Sequence, residues 1–188
     1  MAERAAPYVL VLGGLVAAVL FLPFTQAHGP TSVNLEREVL GWDMHRWGLV
    51  MGTVPEVLVS AGVWLRRAVL AGGSRVARAA LVTVCAAMLL FAAMNLAFRA
   101  IGPPFDLVVL APAMVVAAAT SRAGGAVRVV LAALAATYCL GLVLGVAVPA
   151  DAALLGTGGF RLFGLTTYAG TGLLWAALGL VLLRRRAD

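Results

Sequence analysis

A single carboxyl interrupts the second apolar run of this chain, in MHRWGLVMGTVPEVLVSAGVWL. Glu56 lies about 11 residues in from one end of that run, or roughly 16 Å at 1.5 Å per residue. That is near the middle of a hydrocarbon core about 30 Å thick. A charge held there costs several kcal/mol unless it meets a partner or a cavity, so the neutral carboxyl is the expected form. A protonated carboxyl in an apolar pocket works as a general acid or a proton relay. It works equally as an interhelical hydrogen-bond donor worth about 1 kcal/mol.

At 100° per residue, His45, Gly48, Gly52, Thr53 and Ser60 fall on the side of the helix that carries Glu56, while Val50, Val54 and Leu58 face away. Pro55 is expected to kink the helix and free a carbonyl one turn back. A second polar group gathers at the outer ends of the runs. Asn95 and Arg99 are spaced i, i+4, Asp106 follows the Gly102-Pro103-Pro104 turn, and Asp43 accompanies His45. Arg99 and Asp106 are read either as an interfacial ion pair or as the lining of a polar vestibule above Glu56.

On the last run, Gly164, Tyr168, Thr171 and Trp175 recur at i, i+4, i+7 and i+11, with Thr167 beside them and Thr137 and Tyr138 placed to face them. Such a stripe either packs helices or walls a ligand. The expected acid–base residues are therefore Glu56, Asp106 and His45, and the expected substrate-binding residues are Asn95, Arg99, Tyr168, Thr171 and Trp175.

Several chemistries are excluded. All fourteen basic residues are Arg, which removes lysine amines and Schiff bases. The two histidines, His28 and His45, provide neither HExxH nor His-rich boxes nor axial pairs for haem. Walker, GxSxG and paired-Asp motifs are also missing, so no metal or other cofactor is expected. Cys85 and Cys139 sit in apolar runs without a CxxC partner and are read as packing residues.

The elements that must position these groups are membrane spans. The chain is 63% hydrophobic and 12% charged, with a mean hydropathy of +1.02. A soluble domain of this size cannot bury so much apolar surface. The net charge of +6 comes in short clusters between apolar runs, which suits anionic headgroups; no nucleic-acid partner is expected. Arg, Ala, Gly and Val richness points to GC-rich codons and a bacterial source.

The expected fold is a single all-α, multi-pass bundle with spans at about 8–26, 46–65, 79–98, 105–121, 127–148 and 163–183, the fourth being the shortest. The first run is too long for a signal peptide and is read as a retained span. With the N-terminus inside, ten arginines fall on the cytoplasmic side (Arg4, Arg66, Arg67, Arg75, Arg78, Arg122, Arg128 and Arg184 to Arg186). Four fall outside (Arg37, Arg46, Arg99 and Arg161), which predicts both ends in the cytoplasm and a place in the cell membrane. The first outer loop is expected to hold a short interfacial helix over about 34–42, anchored by Trp42 and Trp47 and acting as a connector or a lid. No internal repeat is visible. The pairs Gly48/Gly52 and Gly141/Gly145 permit close helix approach, within the chain or in a homo- or hetero-oligomer.

Three function classes follow. The first is a membrane-embedded acid–base enzyme, of isomerase or cyclase type, acting on a lipophilic substrate. The others are a small proton-coupled transporter and a non-catalytic accessory subunit. The first is favoured, because one buried carboxyl below a polar cluster suits proton chemistry on an apolar molecule. A second acid in the same cavity favours the enzyme, a water path from both sides favours transport, and a carboxyl bonded to its neighbours without a cavity favours the accessory role.

Overall fold

The structure is a computed structural model that describes residues 2–28, 38–99, 105–147 and 160–184. In chain order the helices are α1 (Ala2–His28), α2 (Met44–Met51), α3 (Val54–Ala71), α4 (Arg75–Phe98), α5 (Leu107–Thr120), α6 (Gly125–Ala147), α7 (Phe160–Gly164) and α8 (Thr171–Arg184). A π-helical stretch, Leu165–Gly170, joins α7 to α8. Five units are long and apolar enough to cross a bilayer: Arg4–Ala27, Met44–Ala71 (α2 with α3), Arg75–Phe98, Gly125–Gly145 and Leu162–Arg184. The chain is an all-α, multi-pass membrane bundle.

Its outward faces carry large apolar side chains, such as Leu12, Val19 and Leu22 on α1 and Leu89, Leu90 and Leu96 on α4, all exposed. Water would penalise that surface, and lipid does not. The in-helix hydroxyls of Thr83, Thr120, Thr137 and Thr166 donate to the carbonyl four residues back. Polar groups on lipid-exposed helices are thereby satisfied internally.

The helices form a closed ring. α1 packs on α3, α3 on α4, α4 on α5, α5 on α6, α6 on α8 and α8 back on α1. The closing contact is backbone against backbone, since a Cβ at Gly14 of α1 would lie 2.2 Å from Gly172 O of α8. Gly179 meets Pro7 O in the same seam, where a Cβ would lie 2.6 Å away. Small residues permit this approach, which supplies dispersion contact where the surrounding lipid offers no hydrophobic drive. Three of the four glycines of the GxxxG pairs face neighbours within the chain: Gly52 meets Asn95, Gly141 meets Thr167 and Gly145 meets the Phe163 ring.

One end of the ring holds the turns between spans. Gly72, left-handed at φ 57, ends α3, and Ser74 caps α4 by accepting from Ala77 N at 3.2 Å. This turn is pinned to the α5–α6 turn. Ser121 Oγ donates to Leu70 O at 2.6 Å, and Arg122 N donates to Ala71 O at 3.1 Å. Arg4, Arg66, Arg67, Arg75, Arg78, Arg128 and Arg184 lie towards the helix ends on this side, and Arg122 lies in the α5–α6 turn.

Three expectations change. The second span is broken: α2 stops at Met51, Gly52 and Thr53 form a turn, and α3 starts at Val54. Pro55 takes the second position of a new helix, where its missing N–H costs nothing, so the chain breaks before it instead of kinking around it. The fourth apolar run forms only the 14 residues of α5, about 21 Å long, which falls short of a hydrocarbon core. The helix expected over 34–42 does not extend across 39–42. There Leu40 (φ 55) and Gly41 (φ 76) make a tight turn that pairs Val39 with Trp42. Residues 34–37 lie outside the described residues. Trp47 Nε1 donates to Val39 O at 2.9 Å and its ring packs on Trp42 at 4.9 Å, so this aromatic pair ties the turn to α2.

Candidate functional site

The break in the second span sets the height of the site. Asn95 of α4 is buried and donates Nδ2 to Gly52 O at 2.9 Å, filling an acceptor freed where the helical ladder stops. α3 then begins with Val54, Pro55 and Glu56, which puts Glu56 in the first turn. α5 also starts below its expected outer boundary, with Asp106 at its N-cap and no side-chain capping bond. Two short-starting helices thus direct a carboxyl each into the ring.

Both carboxyls line one enclosed cavity. From Arg4 to Ala17, from Arg75 to Met88 and from Arg184 to Thr171 are each 13 residues, and from Arg128 to Tyr138 is 10. The lining therefore sits at one level, roughly 15–20 Å from the arginine end. Asp106 is only 8% exposed and its Oδ1 has no hydrogen-bond partner; Glu56 Oε2 is buried and likewise unpartnered. Across from them, Trp175 Nε1 donates to Tyr138 Oη at 3.0 Å, which leaves the phenolic proton for another acceptor. Tyr168, in the π-helical stretch, stacks on Phe21 at 6.3 Å and meets Phe163 edge-on. Single π-turns occur often at functional sites, where the wider turn re-aims a side chain. Thr167 and Thr171 donate their hydroxyls to Phe163 O and Thr167 O, so their oxygens face the cavity as acceptors.

The remaining wall is apolar, with Met51, Val59, Met88, Phe91 and Leu110 among its members. The free space is small: about 30 Å³ is available to water centres, room for about two waters. No lining residue is basic. Among the described residues no group of three or more His, Cys, Asp and Glu side chains is placed to hold a metal.

The structure thus brings Glu56, Asp106, Tyr168, Thr171 and Trp175 to one place. It leaves His45 and Arg99 outside. The break resets the helical register, and His45, in the first turn of α2, is exposed. Arg99 is the left-handed C-cap of α4, also exposed, and no ion pair joins it to Asp106. Asn95 holds the break instead of lining the cavity. Met51, Met88 and Phe91 carried no sequence signal, since an apolar residue on an apolar helix looks the same whether it faces lipid or a cavity. Comparison with family models, curated proteins and solved structures finds no match.

Proposed function

We propose that this is a membrane-embedded acid–base protein of the cytoplasmic membrane, with the arginine end inside, in which Glu56 and Asp106 exchange a proton with a lipophilic substrate. The observation that carries the reading is that two carboxyls, each with one buried oxygen that has no hydrogen-bond partner, line one mainly apolar cavity. Two carboxyls in one dry site do not ionise independently, so one holds a proton while the other is a base. That division suits isomerisation or cyclisation, in which a proton is added at one atom and removed at another. Tyr138, held by Trp175 and Thr171, is positioned to orient the substrate. Room for about two waters means that the ring opens to admit a substrate, and the Gly52–Thr53 break and the π-helical stretch are the places for such movement.

The same small cavity favours a second reading, proton-coupled transport, because a proton needs no larger space. Lipid extracts separate the two. Isomerisation and cyclisation conserve mass, so cells producing the wild type should show a lipophilic component whose retention shifts at unchanged mass. Glu56→Gln, which keeps the shape but exchanges no proton, should abolish that shift while the protein stays folded. Identical extracts from wild-type and Glu56→Gln cells would leave the enzyme reading without support.

A further inference from the structure

The acid–base reading names no substrate class, but the walls of the cavity do. We infer that its ligand carries a small cationic head, a protonated primary amine, on which Glu56 and Asp106 close as counter-ions; this rests on the reading that both carboxyls face a ligand. Charge is the first argument. Two ionised carboxylates contribute −2 to a cavity with no basic lining residue. The N-termini of α3 and α5 each offer about +0.5, and the C-terminal end of α2 returns a fraction of negative charge. The balance is about −1, which one monovalent cation neutralises. An anion has no partner there.

Aromatic faces are the second argument. Phe91, Tyr138, Tyr168 and Trp175 line the cavity with the carboxyls, and aromatic rings attract an ammonium where it meets their negative faces. The oxygens of Thr167 and Thr171, whose hydrogens are engaged by main-chain carbonyls, add acceptors for N–H donors. Size is the third. With the ring closed, space for about two waters accommodates the two heavy atoms of methylammonium, so the head fits without the opening that the rest of the ligand requires. At a pH where the pair holds one proton, binding is an exchange. The ammonium enters, the pair loses its proton to bulk water, and the charge of the cavity is unchanged.

The test uses purified full-length protein in detergent with methylammonium chloride as the probe. Weakly buffered titration should release about one proton per protein at saturation, with a parallel rise in melting temperature. Sodium chloride and tetraethylammonium chloride at equal ionic strength should do neither. Asp106→Asn and Glu56→Gln, checked for folding by circular dichroism and by their own melting curves, should each lose the proton release. A flat methylammonium titration of the wild type overturns the proposal, as does an equal response to sodium or a release that survives both substitutions. A flat titration alongside lipid extracts that still depend on Glu56 removes the amine and leaves the acid–base reading. Saturable binding alongside extracts indifferent to Glu56 does the reverse.

Discussion

Replacing Gly14 by Ala probes whether the ring is closed as described. The added Cβ would lie 2.2 Å from Gly172 O and 2.5 Å from Ala176 N. Ordinary contact begins near 3.4 Å, so α1 and α8 must separate by 3.4 − 2.2 = 1.2 Å at this point. Both colliding atoms are backbone, and no rotamer change relieves them. Overpacking of this kind costs about 1–3 kcal/mol or more, against about 0.5–1 kcal/mol returned by Ala in a helix interior. A net loss of about 1 kcal/mol lowers the melting temperature by about 2–4 °C for a chain of this length. Two controls bracket it. A Cβ at Gly145 meets only the edge of the Phe163 ring at 3.2 Å, and one at Gly125 meets nothing within 4 Å. Both Ala variants should stay within about 0.5 kcal/mol of the parent. Melting the three variants in one detergent ranks them. If Gly14→Ala melts with Gly125→Ala, the seam is looser than described and the ring is not closed by α1 and α8.

Asn95→Leu should cost about 1–3 kcal/mol, because it strands Gly52 O in an apolar interior; wild-type stability in a melting experiment would show that this bond does not hold the break. Ser121→Ala removes a hydroxyl that donates to Leu70 O and accepts from Ala123 N, and should destabilise by a similar amount, read in the same way. A reporter fused after Arg186 should read cytoplasmic and one inserted at Ala152 external. Reversal of both signals, with Arg186 external and Ala152 cytoplasmic, would mean that α5 re-enters instead of crossing.

The spans were legible because an apolar run of about 20 residues has no stable place in water and fits the thickness of a bilayer. The height at which helices start was not. Pro55 announced a disturbance, but a proline inside a run and a proline in the first turn of a new helix look alike until Gly52 O finds Asn95. One consequence is that His45, which shares a face with Glu56 on an ideal helix, leaves it once the break intervenes. The other is that Asp106, which counts as an outer-boundary residue by position, is carried to the level of Glu56 by the shortness of α5. The stripe of Tyr168, Thr171 and Trp175 was visible because polar and aromatic residues stand out among Leu and Ala; their apolar neighbours across the cavity have no such contrast.

A ring closed by α1 and α8 has a consequence for biogenesis. Successive spans enter the bilayer one after another, and the two that must meet are separated by the whole of the intervening chain. Until α8 arrives, the glycine face of α1 has only lipid to rest on, and the wall bearing Trp175 does not exist. During that interval Glu56 and Asp106 face an unfinished interior, where polar groups away from water seek hydrogen-bond partners. The protein is therefore most vulnerable to mispairing while it is being made. A product lacking α8 would leave the cavity open on the side that Trp175 and Thr171 close.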